Sequence, residues 1–416
     1  MKYKALYGTH DILPDDSFKW QYLEDQARKV FALYNYKEIR IPIFEETELF
    51  ARSIGQDTDI VKKEMYTFTD QGKRSITLRP EATAGMVRAY LEHNLGEKSP
   101  LVKLYYLGSM FRQERPQKGR LREFHQFDIE AIGSADPAVD VEQIEMAVRI
   151  CKELKISNFK LHLNSIGCPV CRPVHREKLL DFMKDKVSKL CDDCKTRYMR
   201  NPLRMFDCKK EGCIEQLQGA PVMVDFLCSE CQTHYDQVKE YLKELNIDYF
   251  EDKRLVRGLD YYTKTAFEIK SPLLGSQDTL LGGGRYDLLV EELGGKSTPA
   301  IGFAAGMERF MLVMEMQKKL KYDEKKLNLF IVALGDEAKT FAVKLIRDLR
   351  QNNITCEMDY LQRSLKAQMK EANRQKAGKV LIIGEEEMKK GKAIMRDMQS
   401  GEQQEIELAD VGRICS

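Results

Sequence analysis

Residues 101–133, LVKLYYLGSMFRQERPQKGRLREFHQFDIEAIG, decide the fold. Residues 101–114 read as one strand and 121–133 as another, joined by a polar loop holding Pro116 and Gly119. Two strands and a loop make an antiparallel hairpin. Side chains alternate between the two faces of a strand. Phe124, Gln126, Asp128 and Glu130 therefore share one face, while His125, Phe127 and Ile129 take the other. One wall of the hairpin thus carries an aromatic ring, an amide and two carboxylates in a row.

Working outward, Asp15 and Asp16 follow Pro14 and open a helix through about Tyr34, with Tyr22, Leu23, Ala27, Val30 and Phe31 as its apolar stripe. Ile39, Ile41 and Ile43 alternate with polar residues, which predicts a strand; Pro42 confines it to an edge or an interface. A short strand follows at 75–78 and a helix at 83–93. Beyond the hairpin come a helix at 141–154 and a strand at 160–165. RLVRGLDYYTKTAFEI reads as a strand with Gly258 early in it, and GGGRYDLLVEELGG as a glycine turn leading into a helix. TPAIGFAAGMERFMLVMEM is a strand and then a helix. The charged, aperiodic QKKLKYDEKKLN is a linker. From Leu327 strands and helices alternate, as in a small α/β domain with a largely parallel sheet.

The chain has 416 residues, which favours two or three domains. Lys and Arg number 67 against 65 Asp and Glu, so bulk charge does not make this a basic nucleic-acid wrapper, and any such contact must be local. An apolar fraction of 43% excludes a wholly disordered chain. No apolar run is long enough for a membrane span or a secretory signal, which predicts a cytoplasmic protein.

Three features carry chemistry. Arg112, Arg257 and Arg309 each sit among small or apolar neighbours, and a buried guanidinium needs an anionic partner. Each alone reads equally well as a structural salt bridge; together, with no Walker lysine, they suggest a phosphate clamp of guanidinium forks. Eight of the eleven cysteines lie in four pairs: Cys168 and Cys171, Cys191 and Cys194, Cys208 and Cys213, Cys228 and Cys231. That spacing predicts one or two tetrahedral thiolate sites for structural zinc, against a redox dithiol, an iron–sulfur cluster or plain reduced thiols. Finally, Arg363, Lys366, Lys370 and Arg374 fall on one helical face, a stripe suited either to solvent or to phosphate.

These residues also carry a resemblance. IRIPIFEETELFARSIGQDTDIVKKEMYTF (39–68), TLRPEATAG (77–85), MFRQERPQKGRLREFHQFDIEAIG (110–133), RGLDYYTKTAFE (257–268), GGGRYD (282–287) and AIGFAAGMERF (300–310) resemble, in order, motif 1, the amino-acid segment, motif 2, two histidine-specific signatures and motif 3 of the histidyl-tRNA synthetase family, a bacterial-type class II aminoacyl-tRNA synthetase. Residues 359–387 resemble its anticodon-binding domain. RGLDYYTKTAFE is very specific; motif 3 alone would say only class II. Ser109 stands where the family often has proline and Asp128 where it often has glycine.

The resemblance implies an α+β protein. It expects an antiparallel class II catalytic sheet of six to seven strands with helices (1–166 and 238–320), a cysteine-rich insertion (167–237) and a C-terminal α/β anticodon-binding domain (327–416). It implies ATP-dependent ligation of L-histidine to tRNA(His) through a histidyl-adenylate, by a homodimer with Pro42 at its interface and with no membrane partner. ATP would be the substrate with Mg²⁺, and zinc a structural ion of the insertion. Arg112, Arg257 and Arg309 would be catalytic, holding the α-phosphate, the carboxylate–phosphate junction in place of a metal ion, and the γ-phosphate. Glu114, Arg120 and Phe124 would complete the ATP site. Glu81, Ala82, Thr83, Gln126, Glu130, Tyr261 and Tyr262 would join Arg112 and Arg257 around histidine. There Glu130 and the Tyr262 hydroxyl take the imidazole, and Glu81, Thr83 and Gln126 the α-ammonium. Arg115, Gln117 and the C-terminal stripe would meet tRNA. The rivals are a synthetase-like regulatory subunit of histidine biosynthesis, which lacks the anticodon domain, and a tRNA-binding sensor. Residues 327–416, Arg257 and Arg309 argue against them.

Overall fold

The computed structural model describes residues 3–55, 58, 60–117, 119–318 and 327–411. It divides into two compact units, Met1–Tyr322 and Asp323–Ser416.

In the first unit the strands are β1 (Lys37–Glu38), β2 (Phe44–Glu46), β3 (Tyr66–Thr69), β4 (Ser75–Leu78), β5 (Val102–Phe111), β6 (Glu123–Ile132), β7 (Lys160–Ser165), β8 (Phe250–Glu251), β9 (Thr263–Lys270), β10 (Thr279–Arg285) and β11 (Ala300–Gly306). Eight form one sheet in the order β1-β5-β6-β11-β10-β9-β7-β8. The six central strands pair antiparallel; only the two-residue strands β1 and β8 pair parallel, at the edges. Those edge pairs bring the count to eight rather than six or seven. The 101–133 hairpin is β5 and β6, with Tyr106 opposite Asp128 and Leu104 opposite Glu130.

The period of two on β6 sorts its side chains as read. Phe127 and Ile129 are fully buried under Leu23, Ala27 and Phe31 of the Pro14–Leu33 helix, in one core with Phe267 and Phe303 of the neighbouring strands. Phe124, Gln126, Asp128 and Glu130 line a cavity on the opposite face.

Four expectations change. The Ile39–Ile43 segment is no strand: pairing stops after Glu38 and resumes at Phe44, and Pro42 between them has no N–H to give. RLVRGLDYY is irregular, with β9 beginning only at Thr263. Gly282, Gly283 and Gly284 form no turn but lie inside β10. A Cβ on Gly282 would stand 2.3 Å from Arg257 Nη1, so this glycine makes room for a side chain that crosses the strand. In the second unit, β12 (Leu329–Ala333) pairs parallel with β13 (Cys356–Met358) and β14 (Lys379–Ile383), but β15 (Lys392–Asp397) and β16 (Gln403–Glu407) continue antiparallel, so the sheet is mixed. Residues 319–326 of the linker lie outside the described residues.

The cysteine-rich insert is helical and has a small apolar core of its own, Leu179, Met183, Leu190, Met205 and Leu217. Its last helix, Ser229–Glu244, buries Tyr235, Val238 and Leu242 in the main core. A buried charge network locks that helix in place. Asp140 accepts from His234 Nε2 at 2.8 Å and from the fully buried Arg285, which also reaches Asp287 Oδ1 at 3.0 Å. Removing one partner of a buried pair leaves an uncompensated charge. Arg285→Met should therefore destabilise the protein by about 3–5 kcal/mol in denaturant unfolding. A loss under about 1 kcal/mol would place the network among ion pairs of little net value.

Candidate active site

The polar face of the sheet opens onto a cavity of about 440 Å³, which gathers Glu81, Thr83, Arg112, Glu114, Arg120, Phe124, Gln126, Glu130, Arg257, Tyr261, Tyr262 and Arg309. All are residues singled out from the sequence, drawn from segments up to about two hundred positions apart. Ala82, also singled out, is buried beside them as the residue before the Thr83–Glu92 helix.

Glu130 is the centre. Thr83 Oγ1 donates to its Oε1 at 2.7 Å, and the Tyr286 hydroxyl donates to Oε2. Gly302 lies against it on β11, where a Cβ would fall 1.7 Å from Oε2. Burial pushes the Glu130 carboxyl up to about 8, and the charge of Glu81 adds to the rise while the Tyr286 and Thr83 hydroxyls oppose it. Glu81 accepts from the backbone N–H groups of Thr83 and Ala84 at 2.8 and 2.9 Å, capping the first turn of that helix, yet burial still raises its pKa. Asp128 is buried between them with Oδ2 sealed from solvent and unpartnered; burial and the neighbouring Glu130 and Glu81 hold its carboxyl well above the carboxylate range. Gln126 Oε1 is likewise unpartnered.

The arginines occupy the other side. Arg257 Nη1 lies 2.5 Å from Glu268 Oε1, and its guanidinium is 5.3 Å from the Tyr262 ring centre. Burial works against its charge, but Tyr262 and Glu268 hold its pKa above the usual arginine value. The salt-bridge reading thus holds for Arg257 in the empty cavity. Arg309 has no such partner: it donates to the main-chain oxygens of Gly119 at 3.2 Å and Thr279 at 2.5 Å. Burial lowers its pKa, helped by nearby Arg120 and Arg112. Arg112 donates to Pro80 O at 2.9 Å, lies 3.7 Å from Glu114 and stacks 5.1 Å from the Phe124 ring centre. Arg309 makes no ion pair among the described residues and Arg112 only the 3.7 Å approach to Glu114, so two lightly compensated guanidiniums stand side by side, an arrangement suited to an anion.

Three residues were given no role in the sequence reading. Tyr286 and Glu268 stand inside the quoted GGGRYD and RGLDYYTKTAFE segments, but only their partners, Glu130 and Arg257, reveal what they hold. Glu308 accepts from the backbone N–H of His125 at 2.9 Å and meets its Nδ1 at 3.0 Å, while Ser109 Oγ lies 3.2 Å from Nε2, across the β5–β6 pair. Tyr262 lines the cavity with its ring 5.3 Å from the Arg257 guanidinium, and the Tyr286 hydroxyl donates to Glu130.

The cysteines close in nested order. Cys168, Cys171, Cys228 and Cys231 form one cluster and Cys191, Cys194, Cys208 and Cys213 the other, the ligand atoms of each within 4.8 Å of one another. Sulfur separations of 3.6, 3.8 and 4.0 Å match the roughly 3.8 Å edge of a tetrahedron with metal–sulfur bonds of about 2.3 Å. The N–H groups of Cys228 and Cys191 point at Cys171 and Cys213 sulfurs.

In the other unit the basic stripe is half neutralised. Arg363 pairs with Asp359 and, at 3.2 Å, with Glu371, which also pairs with Arg374. Lys366 and Lys370 are exposed and carry no ion pair among the described residues. Arg115 and Gln117 are exposed on the hairpin loop.

Residues 8–310 match the family model described as Histidyl-tRNA synthetase, and residues 328–415 the one described as Anticodon binding domain. The chain is similar to a histidine–tRNA ligase of Desulforamulus reducens, 53% identical over 404 residues, 97% of this chain and 96% of that one. It is 51% identical to another of Halothermothrix orenii over 412 residues, 99% and 98% of the two chains. The crystal structure of an apo histidyl-tRNA synthetase of S. aureus superposes with a TM-score of 0.84 at 43% identity, covering 99% of each chain.

One consequence of the cavity is measurable by itself. The folded protein holds a proton on Glu130 up to about pH 8, whereas in the unfolded chain it leaves near 4.5. The associated stability is fully present below 4.5 and is lost as pH rises through about 8. Glu130→Gln should flatten that decline in denaturant titrations between pH 5 and 8.5; an unchanged slope would mean that Glu130 is ionised throughout.

Proposed function

The chain belongs to the histidyl-tRNA synthetase family, and from that membership we infer that the cavity is where histidine and ATP react before histidine passes to tRNA. The enzyme is a class II aminoacyl-tRNA synthetase that ligates histidine to tRNA. The observation that carries the site reading is the pairing within one cavity of a buried, hydroxyl-ligated carboxylate, Glu130, with three converging guanidiniums. Histidine-dependent ATP–pyrophosphate exchange tests it.

Neutral imidazole offers one N–H and one acceptor nitrogen. Glu130 accepts from the first, losing its proton to do so; Tyr286 and Thr83 keep the carboxylate aimed, and Tyr262 lines the pocket. Glu81 and Gln126 face the α-ammonium, Gln126 with an oxygen that has no other partner. Pairing buried polar groups only with histidine rejects analogues that leave them unpaired.

Adenylation moves an oxygen of the histidine carboxylate onto the α-phosphorus of ATP as pyrophosphate leaves. Such a transfer needs positioning and charge neutralisation. Phe124 stacks the adenine, Glu114 accepts from its amino group, Arg112 and Arg120 hold the α-phosphate side, and Arg309 holds the γ-phosphate. Arg257 gives a fixed cation at the carboxylate–phosphate junction. Mg²⁺ would accompany the phosphates of ATP, as membership of this family implies. The two thiol clusters fit structural Zn²⁺, with Cys168, Cys171, Cys228 and Cys231 at the base of the insert and the other four in its lobe. Zinc there supplies a cross-link and no chemistry. No helix of the described residues is long and apolar enough to cross a membrane. The exposed Ile43 and Phe44 beside Pro42 suit a homodimer interface, and the enzyme's place is the cytoplasm with tRNA(His).

Arg257→Ala should slow pyrophosphate exchange by about 10² or more, with histidine affinity little changed, and Arg257→Lys should stay poor because an ammonium lacks the fork. Near-normal exchange would remove Arg257 from the catalytic set. Reversing Lys366 and Lys370 to Glu should cut tRNA charging about tenfold, the scale of two lost phosphate contacts, and spare exchange. Equal loss of both activities would remove the stripe from tRNA recognition. Purified protein should hold about two zinc ions per chain, one per four thiolates, and Cys213→Ser should release one without lowering pyrophosphate exchange. Eight freely titratable thiols and no metal would leave them as reduced cysteines.

A further inference from the structure

A second cavity, of about 350 Å³, lies behind the wall of the first, between the insert and the Val256–Tyr262 segment. Its apolar lining includes Pro169, Leu203, Met223 and Leu259, and its charged lining is one-sided: five arginines against the single carboxylate of Asp260. Asp260 is occupied, accepting from Asn201 Nδ2 at 2.9 Å. Arg257 is turned to Glu268 in the reaction cavity. Among the described residues Arg172 donates to main-chain oxygens, of Ile166 at 3.3 Å and of Tyr262. Arg176 donates to Met199 O at 3.3 Å.

Arg204 is the decisive residue. It is 9% exposed, its Nε is sealed from solvent with no acceptor, and no described carboxylate lies within ion-pair distance of it. A buried guanidinium with an unmade hydrogen bond is costly unless an anion completes it. Several guanidinium forks lining one cavity suit the oxygens of a tetrahedral phosphate better than the two of a carboxylate. The apolar walls suit a flat organic body, and the volume lies within the usual range for small-molecule sites, roughly 300–1,000 Å³.

We propose that this cavity is a binding site for a small phosphate monoester with an apolar body, held by Arg204, Arg172 and Arg176 and separate from the sites of histidine and ATP. The site rests on the insert as much as on the catalytic sheet, since Arg172, Arg176 and Arg204 all belong to the insert.

Phenyl phosphate is the probe, titrated calorimetrically into the full chain with saturating ATP present and histidine omitted, so that the phosphate positions of the reaction cavity are filled. One saturable site per chain is expected. Its affinity should fall about tenfold or more in Arg204→Met and in Arg176→Glu, the size of a lost charged hydrogen bond. Benzyl alcohol, with nearly the same body and no charge, should not bind. Arg204→Met should melt no lower than the parent protein, because a purely structural arginine would be missed and an unpaired one would not. Arg176→Glu, at a position with little buried contact, keeps the test valid if Arg204→Met fails to fold. Absence of saturable binding, equal affinity in the parent and the folded variants, or equal binding of benzyl alcohol would overturn the proposal.

Discussion

A carboxylate buried in a protein must be neutralised, hydrogen-bonded or protonated, and Glu130 imposes that requirement on the whole catalytic unit. Its face of β6 is polar because the other face, Phe127 and Ile129, is spent on the core beneath the sheet. Its neighbours follow from its presence. Gly302 leaves the space its oxygens occupy, and Thr83 and Tyr286 supply hydroxyls from a helix start and a strand end far away in sequence. The same logic spaces the charges: Glu81, Asp128 and Glu130 crowd one wall, where burial raises all three, Glu81 raises Glu130 and both raise Asp128, while the guanidiniums collect opposite. A site so arranged is short of anions on one side and short of a cation on the other. On the proposed reading, an amino acid with its ammonium and a nucleotide with its phosphates complete both.

The insert is tied into this scheme at two levels. Through Arg285, Asp140 and His234, its last helix is locked to the strand that carries the three glycines. Through the nested cysteines, the two ends of the insert meet in the outer cluster and its lobe is closed by the inner one. Nesting matters physically. The outer cluster sits where the insert leaves and rejoins the sheet, and Arg172 from the same region holds the carbonyl of Tyr262. The segment 254–262 that walls the reaction cavity is therefore braced from behind by the insert. Its irregular backbone from Arg254 to Tyr262 is tolerable because that brace, and not a strand ladder, holds it.

Much of the fold was legible because period and spacing are local properties. The alternation from Phe124 to Glu130 assigned two faces correctly, since a strand has no other way to point its side chains. The helix of Pro14–Leu33 followed from its apolar stripe, and the cysteine pairs from their spacing. The errors were equally local. Gly282–Gly284 looks like a turn in isolation; it is a strand because Arg257 must cross it and Phe303 and Thr265 press close. Ile39–Ile43 alternates like a strand, yet Pro42 breaks the ladder. The C-terminal sheet gained an antiparallel hairpin, β15 and β16; the Glu385–Lys390 helix before it is too short for a parallel crossover, so β15 returns antiparallel to β14.

By itself, the sequence determined most of the elements, the family and the residue types of the site, because propensity, periodicity and motif spacing are written in neighbouring positions. Only the tertiary structure decided which group meets which. Tyr286 reaches Glu130; Glu268 holds Arg257; the outer cysteine pairs close on each other and the inner pairs likewise. Each of these is a contact between residues separated by 10 to 160 positions, set by how strands stack and where a buried charge finds its partner. Such pairings depend on long-range geometry and desolvation, and neither leaves a periodic trace in the chain.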